Sequence, residues 1–332
     1  MAVRCIALLS GGLDSMLAIR IMQEQQIEVE ALNFKTIFSC CRDEAGQAAR
    51  QLGVRITAVG QEDDYLDLVR YPRFGYGKGA NPCVDCRIYM FEKARRFMDQ
   101  VGAQFIVSGE VVGQRPMSQK RRDLDVISYH SQCEDLLLRP LSAKLLPPTL
   151  PERKGWVDRE KLYDFQGRSR KGLIALATRL GLTALPTAST GCALTEPLFA
   201  MKVFDLIRAS DENRRWDFEL LKFGRHFRMD PNTKVVVGKD AAENEHLSYM
   251  HQLPNASSTA SLFPENFLGP RALVLGPASQ AAIDFAAALV LRYSKRFDPN
   301  NALVLVETRE TRRIIRAQPN DEASRAKTLS TR

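Results

Sequence analysis

The feature that most constrains this chain is an apolar strand that runs directly into a glycine-rich turn and then into a helix. The strand predicted over 3–9 precedes Ser10-Gly11-Gly12-Leu13-Asp14-Ser15, and the apolar spacing after the turn predicts the helix. Such a junction binds anions, because unpaired backbone N–H groups and the positive end of the helix dipole point at the turn. The sequence therefore predicts an α/β unit with a phosphate site at its first strand.

The residues of this turn suit the pyrophosphate part of ATP. Gly11 and Gly12 allow the backbone to approach a phosphate closely, and Ser10 and Ser15 add hydroxyl donors. Asp14 can hold the Mg²⁺ that accompanies a nucleotide. No G-x-x-x-x-G-K-[ST] run is present, which argues against a kinase-type phosphate loop. A glycine-rich turn without a ligand is the simpler alternative.

The hexapeptide resembles the PP-loop of the ATP pyrophosphatase family, whose members cleave ATP between the α and β phosphates to adenylate an acceptor. The resemblance implies ATP and Mg²⁺ as cofactors. It implies that the PP-loop residues bind the nucleotide, with Asp14 also catalytic, and that Phe34 of the second strand lies beside them.

Strands alternate with helices through the first two hundred residues. Strands are predicted over 3–9, 29–38, 54–59 and 105–108, and helices over 43–52, 88–101 and 172–180. This order predicts a doubly wound parallel sheet, whose ligands bind beyond the carboxyl ends of the strands. We expect this domain over 1–205, a charged helical connector over 206–230, a second, smaller α+β domain over 231–318 and a mobile tail over 319–332.

No apolar run reaches membrane-spanning length, and the start of the chain passes directly into the PP-loop, so we expect a cytoplasmic protein without a membrane partner.

The seven cysteines of the chain are unevenly spaced, and in a cytoplasmic protein they point to function rather than to disulfides. Cys83 and Cys86 form a C-x-x-C pair at the head of a predicted helix, where the helix N-terminus is expected to lower the thiol pKa. Cys192 is a distant third cysteine.

Three thiolates suit an iron–sulfur cluster with one open iron, whereas a zinc site needs a fourth ligand, for which Cys40 and Cys41 are the candidates. We expect that pair to lie beside the site rather than to bind metal. Cys5 is expected in the core, and Cys133 has no evident partner.

The segments Asn81-Pro82-Cys83-Val84-Asp85-Cys86 and Ser189-Thr190-Gly191-Cys192 are similar to the two catalytic-cysteine segments of tRNA 2-thiouridylases, with Cys86 and Cys192 in the matching places. Those enzymes carry Asp where this chain has Cys83. The resulting pattern resembles the cluster-dependent tRNA thiolases, which implies a [4Fe-4S] cluster on Cys83, Cys86 and Cys192. A persulfide pair of Cys86 and Cys192 is the alternative.

The segment from Ser108-Gly109-Glu110 to Arg139-Pro140-Leu141 resembles the nucleotide-proximal region of 4-thiouridine synthetases, which implies that Ser108 and Gly109 bind the nucleotide.

The C-terminal part carries a separate resemblance. The segment Val235 to Leu247, with a later Ala-rich helix, looks like the RNA-binding domain of NFACT proteins. Gly238-Lys239 after a strand offers a backbone N–H and an ammonium group to a phosphate. The formal net charge of +8 and the basic clusters at 120–122, 168–171, 214–215 and 309–316 fit an RNA partner.

These features together predict an ATP-dependent enzyme that converts uridine to thiouridine in tRNA, with tRNA and a sulfide or persulfide donor as partners. A homodimer is compatible with the sequence. A PP-loop ligase or amidotransferase acting on a small carboxylate is the main alternative, and a non-catalytic RNA-binding or sulfur-trafficking protein is another.

Overall fold

The fold is taken from a computed structural model that describes residues 3–39, 43–182 and 191–330. The chain divides into two compact units, residues 1–193 and 194–332. The sequence placed this boundary at about residue 205, which lies inside a helix of the second unit.

The first unit alternates strands and helices as expected. Its strands are β1 (Arg4–Leu8), β2 (Glu28–Lys35), β3 (Arg55–Gly60), β4 (Phe105–Val107) and β5 (Leu137–Leu138). Its α-helices are α1 (Leu13–Glu24), α2 (Glu44–Leu52), α3 (Asp64–Arg70), α4 (Cys83–Val101), α5 (Arg121–His130), α6 (Leu150–Arg153) and α7 (Lys171–Arg179).

The strands form a parallel sheet in the order β3-β2-β1-β4-β5. The two faces of β1 are both apolar: Cys5 and Ala7 join one core cluster with α1, whereas Ile6 and Leu8 join another with α4. The chain winds outward in both directions from β1, so the turn after β1 lies at the topological switch point, where sheets of this kind bind ligands. The predicted doubly wound fold is confirmed.

Local sequence sets several of these boundaries. The Asp43 side chain accepts a hydrogen bond from the Gly46 N–H and begins α2, and Gly53 ends that helix with a φ of 64°. The cysteine helix α4 begins at Cys83, earlier than the predicted residue 88, so Cys83 and Cys86 both lie in its first turn.

The second unit is built on an antiparallel sheet. Its strands are β6 (Arg225–Asp230), β7 (Thr233–Val237), β8 (Ser258–Pro264), β9 (Ala272–Leu275), β10 (Leu303–Thr308) and β11 (Arg312–Arg316), in the order β11-β10-β8-β9-β7-β6. Its α-helices are α8 (Pro197–Ala209), α9 (Arg215–Leu220), α10 (Ala241–Gln252), α11 (Gln280–Arg292) and α12 (Asp321–Arg325). The apolar helix α11 packs against β7, β8 and β9.

The smaller α+β domain is thus present, but two features of it differ from expectation. The region expected as a helical connector contains the end of α8, the whole of α9 and strand β6. The tail expected to be mobile contains α12, whose Ala323 is buried and whose carbonyl accepts a hydrogen bond from Arg292. The sequence did not indicate this packing, because the tail has few apolar residues and the contact is made by one small side chain and by carbonyl groups.

In the part of the chain that the structure describes, no helix combines the length and the apolar character needed to span a bilayer.

Candidate functional site

The PP-loop connects β1 to α1 and leaves the start of that helix open. Gly12 occupies the N-cap position and no side chain caps the helix. Ser10 and Ser15 hold the turn together: their hydroxyl oxygens lie 3.3 Å apart, and the Ser15 hydroxyl donates to the Gly12 carbonyl at 2.8 Å. The first N–H groups of α1 are therefore arranged to receive an anion.

Two glycines of the site are required by close packing. Gly11 has a φ of 84°, and a Cβ there would lie 2.6 Å from the Glu44 carbonyl carbon. A Cβ at Gly109 would lie 2.6 Å from the Ser15 backbone nitrogen. Gly12 differs, because the nearest atom to an added Cβ is the Ser10 hydroxyl, at 3.4 Å. Gly11 and Gly109 thus shape the turn, and Gly12 leaves space in front of it.

Asp14 lies in the first turn of α1 with one carboxylate oxygen buried and without a hydrogen-bond partner among the described residues. Burial raises the pKa of this carboxyl group, while a hydrogen bond from Gln114 and the charges of Arg115 and Arg170 oppose that rise. A buried carboxylate oxygen without a partner suits a hard cation such as Mg²⁺. The residues present therefore fit a nucleotide-bound magnesium ion.

The PP-loop opens into a cavity of about 570 Å³. This cavity gathers most of the site predicted from sequence; its lining includes Ser10, Gly12, Asp14, Ser15, Phe34, Cys86, Ser108, Gly109 and Cys192. Gly11 and Cys83 do not contribute to the lining. The carboxyl ends of β1 and β4 bring Ser10 and Ser108 to the same edge of the sheet.

Sequence reasoning missed the positive charge of this cavity. Arg87, Arg115, Arg168 and Arg170 line it, and the burial of Arg115 lowers the pKa of its guanidinium group. Arg168 and Arg170 had been assigned to a general basic cluster. Arginines that converge on a PP-loop suit a phosphate-rich ligand.

A buried ion pair supports the floor of the site. Arg139 donates to the Glu110 carboxylate at 2.9 Å and to the Ser128 hydroxyl at 3.0 Å. Arg87 lies 3.7 Å from the other Glu110 oxygen. Glu110 and Arg139 are both buried, so this pair fixes the segment that follows β4 and orients Arg87 toward the cavity.

The two cysteines of α4 have different surroundings. The Cys83 sulfur accepts a hydrogen bond from the Asn81 amide at 3.0 Å. The Cys86 sulfur accepts one from the Tyr65 hydroxyl at 3.3 Å. Burial raises the pKa of the Cys86 thiol, so the expectation that the helix N-terminus lowers it was wrong for this residue: loss of water outweighs the helix dipole.

The three cysteines of the predicted cluster share one neighbour. The pKa of the buried Tyr65 hydroxyl is raised by burial and further by the charges of Cys86, Cys192 and Cys83. Three thiols suit an iron–sulfur cluster in kind. Among the described residues, however, no group of three or more Cys, His, Asp or Glu side chains is close enough to hold a metal ion.

Among the remaining cysteines, Cys5 lies in the core as expected. Cys5 is buried in β1, and Cys133 is buried with its sulfur 3.2 Å from the Ser131 carbonyl oxygen. Cys192 is exposed, and the N–H of the next residue, Ala193, donates to the Phe38 carbonyl oxygen at 3.1 Å. Cys40, Cys41, Ser189 and Thr190 lie outside the described residues.

The second unit changes one expectation about phosphate contacts. The Lys239 N–H and ammonium group both bind the Glu243 carboxylate, at 3.0 and 3.1 Å, and the Gly238 N–H donates to the Arg271 carbonyl oxygen. The donors of this turn are thus occupied within the fold. Exposed arginines occur instead on β11, at Arg312, Arg313 and Arg316.

Comparison with known families agrees with both resemblances. Residues 3–149 match the family described as the tRNA methyl transferase HUP domain. Residues 224–327 match the NFACT protein RNA binding domain.

A curated relative, the tRNA-specific 2-thiouridylase MnmA of Sulfurimonas denitrificans, is 28% identical over an alignment of 113 residues, and the match covers 31% of this chain. The chain spans about a third (33%) of the length of that relative.

Among solved structures, the chain is similar to a 4-thiouridine synthetase–RNA complex with bound ATP. The match covers 54% of this chain and 41% of the synthetase chain, at 19% identity and a TM-score of 0.39. A protein from Methanocaldococcus jannaschii, described as a predicted subunit of tRNA methyltransferase, covers 42% of this chain and 67% of its own, at 14% identity and a TM-score of 0.31.

Proposed function

We propose that this chain, which joins a PP-loop HUP domain to an NFACT-type RNA-binding domain, is an ATP-dependent enzyme that converts uridine to thiouridine in tRNA. The observation that carries the proposal is the lining of one cavity. Ser10 and Asp14 of the PP-loop share it with Cys86 and Cys192. An activation site for ATP and two sulfur side chains thus face the same space.

The first half of the reaction would use the PP-loop. A uridine carbonyl oxygen attacks the α phosphate of ATP, the bond between the α and β phosphates breaks, and pyrophosphate leaves. The open N-terminus of α1 and the arginines of the cavity bind the departing pyrophosphate. Asp14 would hold Mg²⁺, which would supply positive charge to the phosphates. The adenylated oxygen is then a good leaving group.

The second half replaces that oxygen with sulfur. A persulfide on Cys192 attacks the activated carbon, and AMP leaves with the former carbonyl oxygen. Cys86 then attacks the Cys192 sulfur, which releases the thiouridine and forms a Cys86–Cys192 disulfide. A hydrosulfide ion that attacks the disulfide at Cys192 would reform the Cys192 persulfide and release the Cys86 thiol. Alternatively, a dithiol reduces the disulfide, and a persulfide donor then transfers its outer sulfur to the Cys192 thiolate. The cavity lining supports this route, because it includes Cys86 and Cys192 but not Cys83.

We also keep the iron–sulfur route as a proposal, supported by the C-x-x-C pair in the first turn of α4. This route requires the three sulfurs to come closer together, because the described residues include no group of three or more Cys, His, Asp or Glu side chains that could hold a metal ion. A [4Fe-4S] cluster on Cys83, Cys86 and Cys192 would supply an open iron for a hydrosulfide ion. Iron and sulfide analysis after anaerobic purification separates the routes. The cluster requires iron and the loss of absorption and activity in each single Cys→Ala variant, with Cys133→Ala as the control. The persulfide pair requires activity without iron, with Cys83 dispensable.

RNA capture is assigned to the second unit. Arg312 and Arg316 lie on the same face of β11, because alternate residues of a strand point to one side. Both are exposed and belong to the basic cluster 309–316 noted in the sequence. Basic side chains on an exposed strand are suited to RNA phosphates.

The direct test is thiouridine formation in an unmodified tRNA transcript with ATP, Mg²⁺, a persulfide donor and a dithiol. We expect wild-type protein to form thiouridine and AMP together. Asp14→Ala should abolish both products, and Cys192→Ala should abolish thiouridine, while Cys133→Ala should retain activity. ATP cleavage that does not depend on tRNA and instead responds to a small carboxylate would refute the proposal in favour of a PP-loop ligase.

A further inference from the structure

A cluster of exposed aromatic and basic side chains lies beside the cysteine helix, and the reaction above does not use it. The cluster consists of Arg73, Phe74, Tyr129 and His130, and we call it the aromatic patch. Phe74 is 38% exposed and Tyr129 is 63% exposed. Large rings at such exposure, both in contact with His130, need a reason other than core packing.

The members of the patch are held in a defined arrangement. His130 contacts both rings, with its centroid 5.2 Å from that of Phe74 and 5.1 Å from that of Tyr129. The Arg73 guanidinium lies 5.5 Å from the Phe74 centroid, and its Nη1 is 3.4 Å from His130 Nδ1. These contacts already restrict the side chains of the patch, so a ligand that binds here loses less free energy to ordering them.

The patch is fixed to the turn that carries the site cysteines. The Asp85 carboxylate accepts hydrogen bonds from the Arg73 N–H at 2.9 Å and from the Phe74 N–H at 3.1 Å. Asp85 is buried and lies between Cys83 and Cys86 in the first turn of α4. A ligand bound at the patch is therefore positioned relative to Cys86 by one rigid helical turn.

A cavity of about 170 Å³ opens between the patch and α4. Ile88 and Glu92 of α4 line it together with Phe74 and His130. Glu92 is half-buried, and no hydrogen bond from a described residue reaches its carboxylate. An aromatic surface with an adjacent hydrogen-bond acceptor matches the flat face and the N–H edge of a nucleobase.

We propose that the aromatic patch is a stacking platform for an unpaired base of an RNA strand. Unstacked bases bind to aromatic faces and to guanidinium planes, whereas the bases of a duplex are covered by their neighbours. Arg73 and the net charge of +8 favour a polyanion over an uncharged partner. The inference deepens the proposed function, on which it rests, because it gives the RNA a contact in the N-terminal unit.

The test is equilibrium binding of the full chain to a short oligouridylate and to an RNA duplex of the same length. Phe74→Leu keeps an apolar side chain but removes the ring, and should weaken oligouridylate binding about five-fold or more. It should affect the duplex much less. Phe74→Trp restores the stacking surface, should bind at least as well as wild type, and should show indole fluorescence quenched by the oligonucleotide. Ile174→Ala, at an exposed aliphatic position on α7, is the matched control.

The outcome separates the patch from the proposed reaction, because this binding assay needs neither ATP nor the cysteines. If the leucine variant loses affinity in a protein that forms no thiouridine, the patch stands and the proposed reaction fails. If a Phe74→Leu, Tyr129→Leu variant binds the oligouridylate like wild type and no quenching occurs in Phe74→Trp, the proposal is overturned and the patch belongs to a protein partner.

Discussion

Substitution of Gly109 by Ala tests whether the segment after β4 sets the position of the PP-loop. Gly109 follows Ser108 and packs directly on the backbone at the start of α1. An added Cβ would lie 2.5 Å from the Asp14 carbonyl carbon and 2.6 Å from the Ser15 nitrogen, whereas ordinary contacts begin at 3.4 Å. The backbone of Asp14 and Ser15 must therefore move by about 1 Å.

This displacement gives an expected magnitude. A shift of about 1 Å in a reacting group commonly lowers activity about 100-fold, which corresponds to about 2.7 kcal/mol. Overpacking of this kind lowers the free energy of unfolding by about 1–3 kcal/mol. We expect Gly109→Ala to reduce kcat/KM for tRNA-dependent AMP formation by about two orders of magnitude, in a protein that remains folded.

Gly60→Ala is the matched control. Gly60 ends β3, has no atom within 4 Å of an added Cβ, and is not among the residues with positive φ. Its substitution should change the free energy of unfolding by no more than about 0.5 kcal/mol and leave AMP formation unchanged. Wild-type kcat/KM in Gly109→Ala would refute the reasoning, because the PP-loop would then tolerate a displaced helix start.

Three further predictions follow from the structure. Gly12→Ala should leave thermal stability near wild type, because its Cβ meets only the Ser10 hydroxyl at 3.4 Å, yet weaken ATP binding in a calorimetric titration, because the methyl group enters the phosphate space. Burial lowers the pKa of Lys202 to about 8, so the folded state binds fewer protons than the unfolded chain between pH 8 and its ordinary value of 10.5. The free energy of unfolding should therefore rise over that window by at most about 3 kcal/mol, and Lys202→Met should flatten the rise in pH-dependent denaturation. Arg312→Gln and Arg316→Gln should each reduce the slope of log affinity for tRNA against log salt by about 1. Arg325→Gln is the control, and slopes equal to that of the control would count against β11 as the phosphate contact.

The local parts of the site could be predicted from sequence. The PP-loop is contiguous, and its strand, turn and helix each have a recognisable pattern within 22 residues of β1 and α1. The helix α2 was bounded by Asp43 and Gly53, whose capping roles are local. Residues such as Cys86 and Ser108 could be assigned because they occur in motifs that follow a predicted loop or strand.

The tertiary parts of the site could not be predicted. Arg115 comes about a hundred residues after Asp14, and no local pattern brings their charges together. In the sequence, Tyr65 is an ordinary apolar position of α3, and only the fold brings its hydroxyl group to Cys86. The ion pair between Lys239 and Glu243 was likewise not predicted, although their separation of four residues was a usable signal for it.

Secondary structure in the second unit was missed for a related reason. Helix α10 is largely polar and buries only Leu247 and Met250, so the sequence pattern does not indicate a helix there. The strands β6 and β11 consist mainly of charged residues, because they lie at the two edges of the sheet. Amphipathic periodicity is weak in such elements, and their conformation is determined by the segments against which they pair or pack.

The central claim is that one cavity adenylates a uridine oxygen and replaces it with sulfur, and the destination of that oxygen tests it most directly. The measurement uses a tRNA transcript with ¹⁸O at both uridine carbonyl positions, incubated with the full chain, ATP, Mg²⁺, a persulfide donor and a dithiol, followed by mass spectrometry of AMP and nucleosides. The account predicts one ¹⁸O-labelled AMP for each thiouridine formed, with both products lost in Asp14→Ala. Thiouridine accompanied by unlabelled AMP, or labelled AMP without thiouridine in the presence of the persulfide donor, would contradict it.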